Sequence, residues 1–466
     1  MTAPGNRMSL LSGARPLPVW WEGREPAPVS DPVAGTVRAD LVIVGAGLTG
    51  LWAAVHAAEE HPGRRIVLLE GQHVGAGASG RNGGFVSASL THGLAHGVAT
   101  WPDELPELLR LGHQNLVEID EYLAKEKVEA GLRLCGKTTV ATRPHEVEAL
   151  RAMHDLHERY GERSTYQSEA EVRADVHSPT YLAGLVTPAG GLVDPVAMTT
   201  GLRDVALRKG VVLHERSPVT DLRRDGADVL CVTRTGRIRT DQVLLASNAF
   251  PPLLRRIRSY VLPVWDHVLA TEPLTAEQLD RIGWTLNQGL TDAGNQFHYY
   301  RRTADDRIVW GGYDAIYYFG NRTDATREQR DRSHELLARQ FHETFPQLED
   351  VRMSHRWAGV IDTTSRFTPV FGTALGGRVA YAVGYTGLGV AASRFGARVG
   401  LDLLAGRETE RTSLALVRRK PVPFPPEPAR WAAVQTTRAA LAREDRRGRR
   451  GALLRTMDKF GVGFNS

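Results

Sequence analysis

Cysteine is almost missing from this 466-residue chain, where only Cys135 and Cys231 occur. Two thiols exclude a disulfide framework, and they offer no metal-ligand spacing on their own. They suit a reducing cytoplasm, which is the compartment expected here. No apolar run reaches about eighteen residues, so no membrane-spanning helix is expected. Residues 1–23 carry neither an apolar stretch long enough for a signal peptide nor a twin arginine. Three further gaps matter below: no cysteine follows 231, no histidine falls within 74–91, and no lysine falls within 210–419. A strong charge of one sign is lacking too. The net charge of +5 comes largely from the last sixty residues, with Arg418-Arg419-Lys420 and the stretch 443–455. Acidic, aromatic and leucine residues interrupt that tail. It therefore reads as a solvated amphipathic helix, not as a surface for nucleic acid or anionic membrane.

Glycine, by contrast, is plentiful: 47 residues, many of them clustered at 45–50, 75–84 and 384–389. Clustering points to local backbone tasks. Residues 40–44, DLVIV, have the composition of a strand buried on both faces. GAGLTG follows, then a helix-forming stretch ended by His61-Pro62-Gly63, then a second apolar strand over 64–70. This is one βαβ unit. Gly45 permits the tight turn, Gly47 lets a pyrophosphate approach the backbone, and Gly50 lets helix and strand pack closely. Ala46, Leu48 and Thr49 complete the turn, where the helix start offers free N–H groups to phosphate. Glu70 ends the second strand at the spacing expected for a ribose ligand. A tight turn that binds nothing is the competing reading, and the acidic residue in register weighs against it.

The second cluster, GAGASGRNGGF over 75–85, begins five residues past Glu70. A simple nicotinamide-binding domain would continue its alternation of strands and helices there. Backbone stripped of side chains suits the flat face of a flavin ring instead. Ser79 and Asn82 can add side-chain hydrogen bonds, and Arg81 can add positive charge. The third cluster follows an apolar strand at 378–385 and opens a helix, whose positive end can face the charge that develops on a reduced flavin.

Between these clusters, 103–127 and 144–160 have helical periodicity, and Asp194-Pro195 opens a helix closed by Gly210. Short strands are expected over 211–249, 261–274 and 297–314, with a turn at 304–306, and a helix over 323–345. The nucleotide unit stands at the front and a matching unit near the end, so the middle must leave the first domain and return. The expected division is a lead-in at 1–37 packed through Trp20 and Trp21; a cofactor domain from 38–100, 190–250 and 355–406; a second domain from 101–189 and 251–354; and a basic helical tail at 407–466.

The run from DLVIVGAGLTGLWAA to VLLEGQHVGAGASGRNGGF resembles the opening of the FAD-dependent D-amino-acid-oxidase-like amine oxidoreductases, in particular their γ-glutamylputrescine oxidase branch. The resemblance continues through ATEPL (270–274), 299–314, 356–372 and 384–406. It implies an α/β fold: a glutathione-reductase-type FAD-binding Rossmann domain interleaved with a substrate domain on a mixed, mostly antiparallel sheet. It implies that Gly45, Ala46, Gly47, Leu48, Thr49, Gly50 and Glu70 hold the ADP half, with Val219 at adenine. Around the flavin it implies Gly77, Ala78, Ser79, Arg81, Asn82, Gly83, Gly84, Phe85, Gly359, Thr386, Gly387, Leu388, Gly389 and Val390. Some relatives attach FAD to a late cysteine or to a histidine of the flavin loop. Both are missing here, so the FAD is expected to be non-covalent, with no metal.

The implied reaction is oxidation of a C–N bond in a primary or secondary amine. Hydride passes to flavin N5 and the resulting imine hydrolyses. Oxygen is the expected electron acceptor, giving peroxide, and a quinone or carrier protein is the alternative. Where amino-acid oxidases of this family often carry an arginine that clamps a carboxylate, GVIDTT (359–364) has Ile361. The following Asp362 either attracts a cationic amine or is a surface turn residue. Alternation in FHYYRR puts Phe297, Tyr299 and Arg301 on one face and His298, Tyr300 and Arg302 on the other. Tyr299 or Tyr300 can wall the substrate, and His267 is a further candidate, although packing is the commoner role for each. Some members use a lysine over the flavin to activate oxygen, and the 210–419 gap leaves the acceptor open. A small-molecule amine is the expected partner, for a monomer or homodimer without nucleic-acid or membrane partners.

Overall fold

The structure, a computed structural model, describes residues 11–24, 30–461 and 463. Residues 1–10 and 25–29 of the expected lead-in lie outside these. Its described part forms a short 3₁₀ turn, Val19–Trp21, with both indoles buried as expected.

Two sheets organise the chain. The first runs in the order Val370–Ala374, Val379–Val383, Gly236–Leu245, Gly35–Val44, Ile66–Leu69, Val212–His214. Gly35–Val44 is parallel to both of its neighbours. Strands so placed are covered on both faces, and Leu41, Val42 and Ile43 have no exposure at all. Helices Leu48–Glu60, Pro195–Arg208 and Gly389–Leu404 cover one face in a shared core with Trp52, Met198 and Leu401. Asp194 caps the second of these helices by accepting from the N–H groups of Val196 and Ala197.

The second sheet has eight strands in the order Met353–Thr363, Leu262–Thr271, Ile308–Gly312, His298–Arg302, Gly289–Asp292, Lys137–Ala141, Ala183–Thr187, Thr165–Gln167. All its pairs are antiparallel except Gly289–Asp292 with Lys137–Ala141. One face packs Trp284, Tyr300 and Trp310 against Phe341 and Phe345, while the other looks toward the first domain. The interleaved α/β architecture expected from the sequence is therefore present. No helix among the described residues is long and apolar enough to cross a membrane.

Three boundaries differ from expectation. Met353–Thr363 pairs along its whole length with Leu262–Thr271, so the chain re-enters the cofactor domain after 363 rather than at 355. Helix Leu105–Lys125 buries Leu116, Ile119 and Leu123 in the cofactor-domain core, so it belongs there and not to the substrate domain. The helix expected over 323–345 is Asp331–Thr344, because Asp324 closes a separate 3₁₀ turn, Ala325–Arg327, ahead of it.

Candidate functional site

The three glycine clusters meet along one cavity of about 1340 Å³. At its first end Gly45 adopts φ +103, and a Cβ there would lie 2.5 Å from the Ala246 carbonyl oxygen. A Cβ on Gly50 would lie 1.8 Å from the Gly45 carbonyl oxygen, which explains the bare backbone at that helix start. Glu70 accepts the N–H groups of Ala46 and Gln72, each at 2.9 Å, and burial pushes its carboxyl above the usual range. Gly71, Ser217, Pro218 and Val219 line the same end. This end of the cavity thus combines bare backbone, a helix start and a buried carboxylate.

The loop 75–85 forms the middle. Ser79 Oγ accepts the Leu48 N–H at 2.9 Å, joining the loop to the helix start. Asn82 folds back on its own loop, donating to the carbonyls of Ala78 and Ser79 and accepting from the Gly84 N–H. Two indoles hold the loop from outside: Trp20 donates to the Asn82 carbonyl at 2.9 Å and Trp357 to the Arg81 carbonyl at 2.8 Å. Arg81 pairs with Glu328 at 2.9 Å and donates to the carbonyls of Ala76 and Ala358. The side chains expected to reach a flavin are thus engaged with protein. Their groups brace a peptide surface formed by Gly77, Ala78 and Gly83, which faces the cavity with Phe85. Gly359 packs on Arg81 from the sheet side, where a Cβ would lie 3.4 Å from the Arg81 Cβ. Gly84 turns inward at φ +75, close to Val193 and Arg301.

At the third cluster Thr386, Gly387, Leu388, Gly389 and Val390 line the cavity. Gly387 takes φ +91, and a Cβ there would meet only open space. Asp362 is neither a surface turn residue nor a free anion. It is 4% exposed and accepts the N–H groups of Gly384 and Tyr385, while its own carbonyl accepts from Thr386. Burial pushes its carboxyl up to about 7. His92, one residue beyond the histidine-free window, also lines the cavity, with Nε2 at 3.0 Å from the Thr386 carbonyl oxygen. Neither cysteine is among the lining residues.

A row of side chains on the open face of the second sheet lines the opposite side of the cavity. Tyr299 lies between two glycines: a Cβ on Gly83 or on Gly311 would come within 2.6 Å of its ring. Its hydroxyl donates to Asp266 Oδ2 at 2.5 Å, and Phe85 packs edge-on at 5.8 Å. Burial pushes the Asp266 carboxyl up to about 6. Alternation is as expected, with Phe297 and Tyr299 on the cavity and Tyr300 behind the sheet. Tyr300 is therefore corrected: it is fully buried, shares a 2.7 Å hydrogen bond with the Tyr181 hydroxyl and packs on Trp310. His267 is corrected likewise. It is fully buried behind the sheet against His334, and burial pushes its imidazole down to about 3. Asp266, its neighbour in sequence, occupies the cavity side instead and was missed. The adjacent carboxylate in the apolar run VLPVWDHVLA was the available signal, but nothing local gives the parity of the strand.

The tail is corrected as well. Helix Ala429–Arg447 is not merely solvated, because Ala433, Val434, Thr437, Arg438 and Leu441 wall the cavity. Its buried Asp445 accepts from the backbone N–H groups of Asn295 and Gln296 and from the Asn295 side chain.

These residues fit FAD: an anion-ready helix start, a buried carboxylate beside it, a bare peptide surface and a second helix start facing it. Comparison with known proteins agrees. The family described as FAD dependent oxidoreductase (DAO) matches residues 40–403. The γ-glutamylputrescine oxidoreductase of Escherichia coli K12 is 29% identical over 403 residues, covering 85% of this chain and 90% of that one. The probable oxidoreductase OrdL of Haemophilus influenzae is 28% identical over 393 residues, covering 82% and 86%. Glycine oxidase from Geobacillus kaustophilus shares the fold with a TM-score of 0.69 at 20% identity, over 82% of this chain and 99% of that one.

Proposed function

This chain belongs to the DAO family of FAD-dependent oxidoreductases, and from that premise we propose that it oxidises the C–N bond of a primary or secondary amine with no carboxylate on the reacting carbon. Bound FAD supplies the two-electron acceptor. We infer that Gly45 to Gly50, Glu70 and Val219 bind its adenylate half, and that residues 77–85 and 386–390 bind the ring. The Tyr299–Asp266 pair carries the reading of the substrate side. With its proton committed to Asp266, the Tyr299 oxygen is free to accept an N–H from an amine in the cavity. The carboxylate behind it favours the cationic ammonium on arrival. Its raised basicity suits it to draw a proton from that ammonium through the phenol, leaving the neutral amine. The product imine then hydrolyses to carbonyl compound and amine or ammonia.

Ile361 lines the cavity where an arginine clamp would stand in amino-acid oxidases of the resembled kind. This supports amines over α-amino acids. The name of the E. coli relative supports the same substrate class. Oxygen is proposed as the electron acceptor, and peroxide release in air separates this from transfer to a quinone or carrier protein.

The test is steady-state kinetics of Asp266→Asn and Tyr299→Phe. The wild type should lose kcat/KM as pH falls through about 6, where Asp266 becomes protonated. Asp266→Asn should lower kcat/KM at neutral pH about 10²-fold and remove that acid limb, as expected for loss of a general base. An unchanged limb in Asp266→Asn would reject the role.

A further inference from the structure

Helix Ala429–Arg447 is fastened beside Tyr299 by a short chain of contacts. Tyr299 and Phe297 both line the cavity. The Phe297 carbonyl accepts the Tyr313 N–H at 2.8 Å. Asp314, next in sequence, accepts from Arg438 of the helix at 2.8 Å. Farther along the same helix, Asp445 accepts from the N–H groups of Asn295 and Gln296. In extended chain, a rise near 3.3 Å per residue puts Asn295 and Gln296 about 10–13 Å from Tyr299. The helix therefore faces the part of a substrate that lies several bonds from its reacting nitrogen.

Val434, Thr437 and Leu441 form one stripe of this helix at helical spacing, and with Met457 they line the cavity. The Thr437 hydroxyl is committed to the Ala433 carbonyl at 2.9 Å. Arg438 is the one charged residue among the described cavity-lining residues of the tail, and Asp314 holds it. The acids around the stripe are taken as well. Asp314 also accepts from Arg330 at 2.9 Å and Ser333 at 2.8 Å, and Asp445 takes a third bond from the Asn295 side chain. Glu444 pairs with Arg450 at 3.0 Å, Glu427 accepts the N–H groups of Gly320 and Trp431, and Asp292 pairs with His298. A second ammonium brought to this wall would lose water without gaining a counter-charge, which is costly, whereas an alkyl or aryl group is stabilised by leaving water. The stripe lies past residue 403, where the family match ends, so the matched fold does not supply it.

We propose that helix Ala429–Arg447 is the specificity wall of the amine pocket, and that its stripe of Val434, Thr437 and Leu441 receives an uncharged, apolar far end of the substrate. This deepens the proposed amine oxidation and rests on it for the reacting end. The substrate class is a monoamine bearing an alkyl or aryl chain, in preference to a diamine or polyamine.

The experiment has two arms. In the first, the FAD-loaded protein is titrated calorimetrically with hexan-1-ol, which needs no turnover. Leu441→Asn should weaken binding about tenfold, and Leu441→Met should keep most of it. In the second, hexylamine and 1,6-diaminohexane are compared as substrates. The wild type should show a KM at least tenfold lower for the monoamine. Thr437→Glu, which sets a carboxylate in the stripe, should lower KM for the diamine and raise it for hexylamine, while Thr437→Gln should not lower it for the diamine. Equal KM values in the wild type overturn the wall, as does a Thr437→Glu change that moves both in one direction. Hexanol binding that depends on Leu441, in a protein that no amine reduces, would leave the wall standing and reject the amine reaction. Flavin content and melting temperature of Thr437→Gln and Leu441→Met guard against a folding effect.

Discussion

Both oxygens of Asp362 are engaged with the backbone of the turn that opens helix Gly389–Leu404. The side chain thus acts on the site through that turn. Asp362→Asn leaves one acceptor oxygen where two are used, which costs on the order of 1–3 kcal/mol at a buried site. The expected outcome is weaker FAD affinity, about tenfold or more by fluorescence titration of the apoprotein. KM for a cationic amine should change little once the protein is saturated with FAD. A selective rise in KM at full FAD occupancy would instead return Asp362 to the role of substrate anchor. Tyr299 and His267 make the complementary point about parity. FHYYRR alternates cleanly enough to sort Tyr299 from Tyr300, yet which face meets the cavity depends on Gly83, two hundred residues earlier. The same ambiguity hid Asp266 behind its neighbour.

At the scale of elements, the glycine turns were the most legible part of the chain because each is dictated locally. A strand, a forced positive φ and a helix start leave little choice of residue. Gly50→Ala would drive a Cβ into the Gly45 carbonyl, 1.8 Å away, and should yield protein without FAD or no folded protein at all. What the sequence could not disclose is long-range pairing. The partner of Met353–Thr363 is a strand about ninety residues upstream, and the tail's place on the cavity depends on one carboxylate meeting two loop N–H groups. Asp445→Ala tests the tail. Loss of its three acceptor contacts should loosen helix Ala429–Arg447 and raise KM several-fold while FAD content stays intact. Unchanged kinetics together with faster proteolysis of the tail would show that the helix covers the cavity without shaping it.

For the molecule as a whole, burial holds several histidines neutral. It pushes His56 and His267 down to about 3 and His92 and His334 down to about 4. Their unfolded counterparts titrate near 6.5. The unfolded chain therefore takes up more protons below that pH, so this stability is full above 6.5 and is lost as pH falls toward 4 and 3. Asp266 and Asp362, with raised carboxyls, act in the opposite direction between about 4 and 7 and temper the slope. The melting temperature should fall as pH drops below 6. His267→Leu should make that fall shallower, because neither ring nitrogen of His267 has a hydrogen-bond partner among the described residues. A steeper fall in His267→Leu would contradict the assignment.

The central claim is that three bare backbone turns hold FAD beside an amine pocket built on Tyr299 and Asp266. Anaerobic titration of the purified yellow protein with primary and secondary amines tests it most directly. Stepwise bleaching of the flavin band by amines, without any reductant, is the expected result. A flavin that stays oxidised with every such amine, while α-amino acids bleach it, would contradict it.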